Sequence, residues 1–600
     1  MALQTLFIPN AENNLKEHLK FDRGTGCDMP RLDPFSKDAT RYDKDVPKIE
    51  CDGQDWVKCF HSECRVVDEI LTTHWNILCS FRDILYHTDF SYSYGDPVDV
   101  FGAEIYHLRR SDHVKVACSG SRNGSIFAFL PSRWSGIAAG FRPVSQKPTL
   151  KGREKAVNIM MFGFDSTSRI GFIRRMPKSY KYLTEELQAT VLKSYNIVGD
   201  GTKGALFPML TGKNMYELPN TRVMRGNART CDEYPLLFYK LRDDGYRTAF
   251  FEDRPEIGAF QYWVNGFRHQ PTDHYLRAFF QERAGKGRRY CVGATPQYRL
   301  MMNLTDQFMQ LPGKKFIFTF VVDITHEDFN QISNADDDFV DLMSRFKRNG
   351  YGEDSLLVVM SDHGPRYSQV RDTPQGRLEE RLPLMAFVLP ERLKSERPKA
   401  VFALKHNINS LTTPYDIHAT LLDAVGLRQF WNGYRIPRAD IPRGMTLLET
   451  IPQNRSCSEA GVEPHWCACA MWTRLAHDNP LCERAGQAFV DYINGLTEPV
   501  RLKCVPRTLS HITWVKKYRV GDASVKTYTY QVKVTVDPGA ADFEATVTHH
   551  LKSDDFQLNM GGISRTNSAS SVITRKRAYS RKKNDYEEIF EENYSILNKR

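Results

Sequence analysis

Long apolar runs are missing from this chain of 600 residues. The densest run, residues 316–322, is much shorter than the roughly 18 apolar residues that a membrane-spanning helix needs. The first residues also lack a basic segment followed by a long apolar one, so the chain as written shows no signal peptide. We therefore expect no transmembrane segment in this chain, and its length predicts about two to four folded units.

A strong charge of one sign is missing as well. The net charge of +10 is modest for this length, and six of the positive charges lie within residues 575–583. The rest of the chain is less basic than the total suggests, which argues against nucleic acid as the main partner. Residues 564–600 are predicted to be a solvated, disordered tail, with a nuclear or nucleic-acid role as the alternative for its basic run.

Cysteine, by contrast, is plentiful, with 13 residues in two main groups at positions 51–79 and 457–482. Neither group has the regular pairs of a zinc knuckle, although Cys467 and Cys469, with His465 nearby, leave a zinc site open as an alternative. We interpret both groups as disulfide-rich flanks, which indicates a secreted or lumenal protein whose leading segment is missing from the chain as written. Glycosylation sequons are compatible with this compartment and lie at Asn123, Asn303, Asn454 and Asn593.

A strand–loop–helix rhythm fills residues 151–450. Continuous rather than alternating apolar runs indicate strands that are covered on both faces, as in a parallel sheet. Helical patterns between the runs supply the covering layers, among them residues 336–347 and a capped helix after Thr413. The runs span residues 157–164, 246–251, 316–322, 355–360 and 382–389.

The flanks of this α/β core read as β-rich. Residues 1–150 are predicted to be irregular with short strands, including 98–101 and 113–118. Residues 451–563 are predicted to be a cysteine-bearing connector followed by a small β unit with a hairpin at 528–547. We therefore expect an α/β core at 151–450 between a β-rich N-terminal region and a small C-terminal β unit.

Polar side chains follow the ends of the apolar runs. Asp165 follows the first run, Asp362 and His363 follow a later one, and Thr202 lies in a glycine-rich turn ahead of a helix. Ligands gather at the carboxyl ends of strands in open α/β sheets, so these residues could meet around a divalent cation. Carboxylate and imidazole groups suit zinc, with manganese, magnesium or calcium as alternatives, and a threonine alkoxide on such a metal is a nucleophile.

Local roles are the alternatives for the same residues. Asp165 or Thr202 could cap a turn or helix, and Asp362–His363 could form a turn. One or two metal ions remain open, because Asp323 and His326 follow the run at 316–322. His326 and His406 could each bind a second metal, protonate a leaving group or have a structural role. His418 is predicted to pack inside a helix. His274 could line the site, but the residues around it do not indicate a role.

Several stretches resemble one family when they are taken in order. They include GFDSTSR, VGDGTKGALFPMLTGK, THEDFN, VVMSDHGPR, LEERLPL and LTTPYDIHATLLDAVG. The chain resembles the sulfatase-like "domain of unknown function" family of nematodes and other animals, within the alkaline-phosphatase superfamily. The resemblance implies an alkaline-phosphatase-like, mostly parallel sheet with helices on both faces. It also implies one divalent metal on Asp165, Thr202, Asp362 and His363, with Thr202 as nucleophile, and further roles for Asp323, His326 and His406.

The nucleophile segment departs from that of true sulfatases in the superfamily. Those carry Cys/Ser-x-Pro-x-Arg, whereas this chain has Thr202 followed by Lys-Gly-Ala-Leu. We therefore expect a metal-dependent hydrolase or transferase of phosphate rather than sulfate esters, acting on a phosphorylated or glycoconjugate substrate, with Lys203 or Arg169 neutralising phosphoryl oxygens. A catalytically silent extracellular binding protein that keeps the fold is the alternative. Many relatives end in a cysteine-rich segment, and this chain ends in the basic tail.

Overall fold

The computed structural model describes residues 26–566 apart from 124–130, 146–147, 149–150, 154–155, 224–226, 438, 499–500, 502–504 and 519–525. All but the first three residues of the predicted basic tail therefore lie outside the described residues. None of the helices in the described part of the chain combines the length and the apolar composition that crossing a bilayer requires.

The N-terminal region forms two small antiparallel sheets. One has the order β1-β2-β6, and in the other β4, β3, β7 and β8 lie side by side, with β5 also paired to β3. The predicted strands at 98–101 and 113–118 are confirmed. The elements are α1 Lys37–Thr40, β1 Val57–Phe60, β2 Glu63–Val66, α2 Asp68–Thr73, β3 His74–Thr88, β4 Ser91–Tyr94, β5 Val98–Phe101, β6 Tyr106–His107, β7 His113–Arg122 and β8 Ser132–Ala139.

The core is built on a seven-stranded sheet of order β10-β17-β16-β9-β15-β11-β12. Its strands are β9 Asn158–Phe164, β10 Thr190–Val191, β11 Arg247–Glu252, β12 His274–Tyr275, β15 Lys315–Val321, β16 Ser355–Met360 and β17 Met385–Val388, and a separate hairpin joins β13 Cys291–Val292 to β14 Thr295–Pro296. The helices are α3 Arg169–Arg175, α4 Pro177–Lys181, α5 Gly201–Thr211, α6 Leu237–Asp243, α7 Arg277–Arg283, α8 Gln297–Gln310, α9 Asp336–Arg348, α10 Pro374–Arg381, α11 Glu391–Glu396, α12 Pro398–His406 and α13 Pro414–Ala424.

Helices cover both faces of this sheet, as the continuous apolar runs predicted. Alternate residues of β9 enter two different cores: Ile159 and Met161 pack with α5, α6 and α13, while Met160 and Phe162 pack with α8 and α9. Every residue of β9 and of β16 is buried. The predicted α/β architecture is therefore confirmed, with the central strands β16, β9, β15, β11 and β12 parallel.

The run at 382–389 departs from the parallel pattern. It forms the short strand β17, which pairs antiparallel with β16. The chain between these strands stays at the carboxyl end of β16, where Ser361 N donates to Leu384 O at 2.8 Å and Gly364 N to Glu380 O at 3.0 Å. Because α10 does not cross the sheet, the next strand starts at the same end and must run in the opposite direction.

The C-terminal unit is an antiparallel sheet of five strands in chain order, β18 to β22. The predicted hairpin is confirmed as β20 and β21, and α14 packs on this sheet through residues such as Phe489 and Val490. The elements are β18 Trp472–Arg474, α14 Pro480–Thr497, β19 Thr508–Tyr518, β20 Thr527–Asp537, β21 Ala541–His550 and β22 Asp555–Arg565. The domain boundaries drawn from the sequence stay predictions.

The described residues hold five disulfides, of which one ties the N-terminal region to the core and one ties the N-terminal region to the connector after the core. Two join distant parts of the chain, which is where a cross-link most restricts the unfolded state. Cys482 of the second cysteine group is a free, buried thiol in α14, as is Cys231 in the core, and an odd count of 13 cysteines leaves at least one thiol outside intramolecular disulfides. The zinc alternative at Cys467 and Cys469 also fails, since both sulfurs are in disulfides. The pairs are Cys27–Cys469, Cys51–Cys291, Cys59–Cys64, Cys79–Cys118 and Cys457–Cys467.

Candidate metal centre

Adjacent parallel strands bring the first candidate ligands together. β9 ends just before Asp165, its neighbour β16 ends just before Asp362 and His363, and the two strands pair in register from Asn158 with Ser355. In a parallel pair the carboxyl ends lie at the same edge, so the local sequence places the three side chains side by side. Their ligand atoms lie within 4.8 Å of one another, and all three residues are buried.

The backbone around Asp362 fixes this carboxylate. Its Oδ1 accepts hydrogen bonds from Ser166 N at 3.0 Å and from His363 N at 2.8 Å. Ser166 has a φ of 55°, an unusual conformation for a residue other than glycine, and its hydroxyl donates to Asp165 Oδ1 at 2.8 Å. The turn after β9 is therefore strained so that it can meet the neighbouring strand end, which is typical of functional sites.

The imidazole of His363 faces the carboxylates of Asp362 and Asp165. His363 Nδ1 lies 2.8 Å from Gly364 O, so Nδ1 carries the proton and Nε2 presents a lone pair. That Nε2 lies 3.2 Å from Asp362 Oδ2 and 3.7 Å from Asp165 Oδ1. Asp362 Oδ2 is buried without a hydrogen-bond partner. Oxygen and nitrogen lone pairs that face each other in a buried site are the donor set that a divalent cation such as zinc takes, so the residues fit a metal.

The electrostatics agree with this geometry. Burial, and then the negative charge of Asp362, raise the pKa of Asp165 well above its usual range. The charge of Glu252, at the end of β11, contributes in the same direction. A buried group of carboxylates with no cation beside it shifts toward its protonated form, whereas a bound cation would favour the ionised form.

Thr202 lies in the first turn of α5, next to the segment that follows His363. The N-cap of α5 is Asp200, so the alternative that Thr202 is itself a plain N-cap is wrong. Asp200 Oδ1 accepts a hydrogen bond from Arg366 Nη2 at 2.6 Å, and Arg366 lies three residues beyond His363. Gly201 has a φ of 61°, which favours glycine, and a Cβ on it would lie 2.5 Å from Arg366 Nη1, so a larger residue would strain the backbone and displace this guanidinium.

His326 lies beside the cluster. Its Nδ1 is buried without a hydrogen-bond partner, and its ring centroid is 5.9 Å from that of Tyr367. Burial, followed by the nearby His363 and Arg254, lowers the pKa of His326 to about 4. A neutral imidazole with a free nitrogen can accept a proton or a metal ion.

Asp323 is engaged in a second carboxylate group. Its Oδ1 accepts from Arg254 Nη1 at 2.9 Å. The neighbouring Asp253 has one oxygen without a hydrogen-bond partner, and burial together with Asp323 raises its pKa to about 7. The sequence marks Glu252 and Asp253 only by their place directly after the apolar run at 246–251. The position of that strand, two places from β9 in the sheet, is what brings them near the centre.

The other candidate residues lie in different surroundings. His406 is exposed at the end of α12, with Nδ1 3.5 Å from Asn407 Oδ1, and is outside the three-residue cluster of the described chain. His418 is buried and bonds to Met209 O at 3.0 Å, so its predicted packing role is confirmed. His274 pairs with Asp112 at 3.1 Å on the N-terminal region. Lys203 donates to Tyr262 O at 2.5 Å.

Fold and site together define the class of this protein: an α/β protein with a buried carboxylate–imidazole cluster at the carboxyl ends of a mostly parallel sheet. The chain belongs to the family described as "Protein of unknown function (DUF229)", which matches residues 45–513. The family predicted from the sequence motifs is thereby confirmed. A search of proteins with curated descriptions finds no match.

Solved structures that resemble the chain share little sequence with it. A protein in the alkaline phosphatase superfamily from Vibrio parahaemolyticus is 12% identical with a TM-score of 0.34, over 76% of this chain and 89% of that one. The lipoteichoic acid synthase LtaP from Listeria monocytogenes is 11% identical with a TM-score of 0.31, over 76% and 94%. The phosphonate monoester hydrolase of Agrobacterium radiobacter is 12% identical with a TM-score of 0.32, over 66% and 90%. Likeness at this level does not transfer an activity.

Proposed function

We propose that the chain is a metal-dependent hydrolase or transferase of phosphate esters that uses Thr202 as its nucleophile. The observation that carries the proposal is the buried cluster of Asp165, Asp362 and His363, in which Asp362 Oδ2 has no hydrogen-bond partner and lies 3.2 Å from His363 Nε2. Those three residues and Thr202 would hold the cation, which we take to be zinc. When bound, such a cation polarises a phosphoryl group and lowers the pKa of a hydroxyl that binds it.

The side chains divide the reaction between them. Thr202 Oγ attacks phosphorus in line, the bond to the ester oxygen breaks, and a phosphothreonine and an alcohol result. Backbone N–H groups in the first turn of α5 face the phosphoryl oxygens, as helix N-termini bind anions. His326 takes the proton from the attacking hydroxyl and returns it to the departing oxygen. Water, or an acceptor hydroxyl in a transferase, then releases the phosphoryl group and restores Thr202.

Two further parts of the proposal concern the substrate and the compartment. The sequence after Thr202 lacks the proline and arginine of the sulfatase motif, which supports phosphate over sulfate. The five disulfides support a secreted or lumenal protein that meets a phosphorylated or glycoconjugate substrate.

Turnover of 4-nitrophenyl phosphate, with metal analysis of the same preparation, tests this function. We expect bound zinc in the wild type and a loss of activity of at least about 10³-fold in Thr202→Ala. Thr211→Ala is the matched control, since Thr211 lies at the other end of α5 and bonds to Phe207 O at 2.6 Å. A wild type that is metal-free and no more active than Thr202→Ala would favour the alternative, a binding protein that keeps the fold.

A further inference from the structure

Two adjacent glutamates on α10 are buried, and the proposed mechanism uses neither. Glu379 is 0% exposed and Glu380 is 1% exposed. They lie in the segment LEERLPL, one of the stretches that mark the family resemblance. Carboxylates are almost never fully buried unless they are paired, so each needs an explanation.

Glu379 binds the loop that follows Asp165. Its Oε2 accepts from Ser168 Oγ at 2.7 Å, and Arg174 donates to both carboxylate oxygens at 3.0 and 3.1 Å. Ser168 is the N-cap of α3 and accepts from Gly171 N at 2.8 Å. Glu379 therefore fixes the turn that carries the first candidate ligand.

Glu380 reaches the helix that carries Thr202. Glu380 Oε1 lies 3.5 Å from Arg366 Nε, and Arg366 Nη2 donates to Asp200 Oδ1 at 2.6 Å. Asp200 is the N-cap of α5, two residues before Thr202. Arg366 is thus held between Glu380 and Asp200, at the start of α5.

The same glutamate is joined to the C-terminal sheet. Arg371 Nε donates to Glu380 Oε2 at 2.9 Å, and its two terminal nitrogens donate to Glu544 at 2.9 and 3.0 Å. Glu544 lies on β21. The side chains of Arg371, Glu380 and Glu544 are at most 2% exposed, so water does not screen these pairs.

Two glycines show that the backbone segments around these pairs are in close contact. A side chain at Gly364 would collide with the carbonyl of Glu379, and one at Gly376 would collide with the carbonyl of Val370. The loop after His363 and α10 are therefore packed backbone to backbone. A change in the charges bound by α10 should therefore shift the neighbouring backbone, because a close-packed interior has few voids that could take up the movement.

We propose that Glu380 is a positioning residue of the active site: through Arg366 it fixes the start of α5, and through Arg371 it makes that position depend on Glu544 of the C-terminal sheet. The chain of contacts runs Asp200–Arg366–Glu380–Arg371–Glu544. The effect on turnover rests on the proposed function, whereas the effect on α5 does not.

Hydrogen–deuterium exchange of full-length protein tests the coupling without any substrate. Glu544→Gln removes one charge and keeps the side-chain shape, and Glu544 is none of the candidate ligands. We expect amides within residues 201–211 to exchange about 3- to 30-fold faster in Glu544→Gln and in Glu380→Gln, the range of measured couplings between distant sites. Asp244→Asn is the control, because Asp244 is also buried in ion pairs, with Arg153 at 2.8 Å and Lys314 at 3.1 Å.

A double-mutant cycle gives the second measurement. In zinc-loaded enzyme we expect Glu544→Gln and Asp200→Asn each to lower kcat for 4-nitrophenyl phosphate about 3- to 30-fold with KM unchanged. The double variant should lose much less than the product of the two losses, because both cut the same chain of contacts. A merely structural role would instead give multiplicative losses and similar effects in Asp244→Asn.

The two arms separate the possible failures. Unchanged exchange of residues 201–211 in Glu544→Gln, or equal acceleration in Asp244→Asn, overturns the positioning role. Multiplicative losses of kcat overturn it as well. If the wild type turns over no phosphate ester, the proposed function fails, and the exchange experiment still decides the coupling between the C-terminal sheet and α5.

Discussion

Replacing Asp362 by asparagine should stabilise the metal-free protein and destabilise the metal-loaded one. Asparagine keeps an oxygen to accept from Ser166 N and His363 N, as Asp362 Oδ1 does at 3.0 and 2.8 Å. Its amide nitrogen would replace the unpartnered Oδ2, 3.2 Å from His363 Nε2. The substitution therefore replaces an oxygen acceptor with an N–H donor, and this donor can bond to the lone pair of His363 Nε2.

The structure sets the size of this effect. A buried polar atom without a partner costs about 1–3 kcal/mol, so metal-free Asp362→Asn should be more stable by about that amount. For the wild type, a zinc concentration of about 1,000 times Kd adds about 4.1 kcal/mol, which exceeds that advantage and which the variant should not gain. The order of stability should therefore invert when metal is added.

The pH dependence has a definite sign. The pKa of Asp165 is raised in the folded protein, by burial first and then by Asp362. Above about pH 4 the folded metal-free protein therefore binds more protons than the unfolded chain, and its stability falls as the pH rises through the folded pKa. Asp362→Asn removes the neighbouring charge and should flatten this fall.

Thermal unfolding with EDTA and with excess zinc measures both states. We expect Tm in EDTA to rise by about 2–4 °C in Asp362→Asn, with the wild type higher in zinc. The control is Asp416→Asn, because Asp416 is buried with both oxygens bonded to Arg455 at 2.8 and 3.1 Å and should be destabilised in both conditions. A lower Tm for Asp362→Asn in EDTA would refute the inference that Asp362 Oδ2 is a metal ligand that lacks a partner in the metal-free protein.

Three further predictions follow from other parts of the structure. His326→Gln should lower kcat by about 10²–10⁴-fold with zinc content unchanged. In the wild type, kcat/KM should decline on the acid side near pH 4, because burial and then His363 lower the pKa of His326 to about 4. Gly201→Ala should lower the free energy of unfolding by about 1–2 kcal/mol, because φ is 61° there, and should also lower activity; denaturant unfolding measures the first effect. Gly350→Ala is the control: φ is 70° and the space around it is open, so it should lower stability by the backbone cost alone and leave activity unchanged. Glu282→Gln should lower the free energy of unfolding at pH 7 by about 2–3 kcal/mol, because Lys286, Tyr94 and Tyr92 donate hydrogen bonds to Glu282 and lower its pKa to about 2 despite burial. The difference between the variant and the wild type should shrink as the pH falls from about 4 towards 2. Urea unfolding across that pH range measures it.

Local pattern predicted the central strands of the core, some of its helices and the first candidate ligands. The runs at 157–164 and 355–360 predicted β9 and β16, and the polar residues that end them, Asp165, Asp362 and His363, form the cluster. The capping residues after Thr413 predicted the start of α13, where Thr413 and Asp416 form the expected capping box. These predictions depend on contacts between residues that are close in the chain or on neighbouring parallel strands.

Other features could not be predicted, because they depend on where a chain segment goes after it leaves the sheet. The antiparallel direction of β17 follows from α10 staying at the carboxyl end of β16. The pairing of Cys51 with Cys291 and of Cys27 with Cys469 depends on contacts over 240 and 442 residues. Cys482 belongs to the second cysteine group in the sequence, but in α14 it is a free thiol that forms no disulfide with any described cysteine.

The sequence by itself determined the central strands of the core, the helices at 336–347 and after Thr413, and the side chains that stand at the strand ends, because periodicity and capping are properties of neighbouring residues. Only the tertiary structure decided that Glu379 bonds to Ser168 in the loop after Asp165, that Glu380 lies beside Arg366 in the loop after His363, and that Arg371 joins Glu380 to Glu544. The physical reason is that a buried charge is stable only beside its partner, and that partner is chosen by packing in space rather than by distance along the chain.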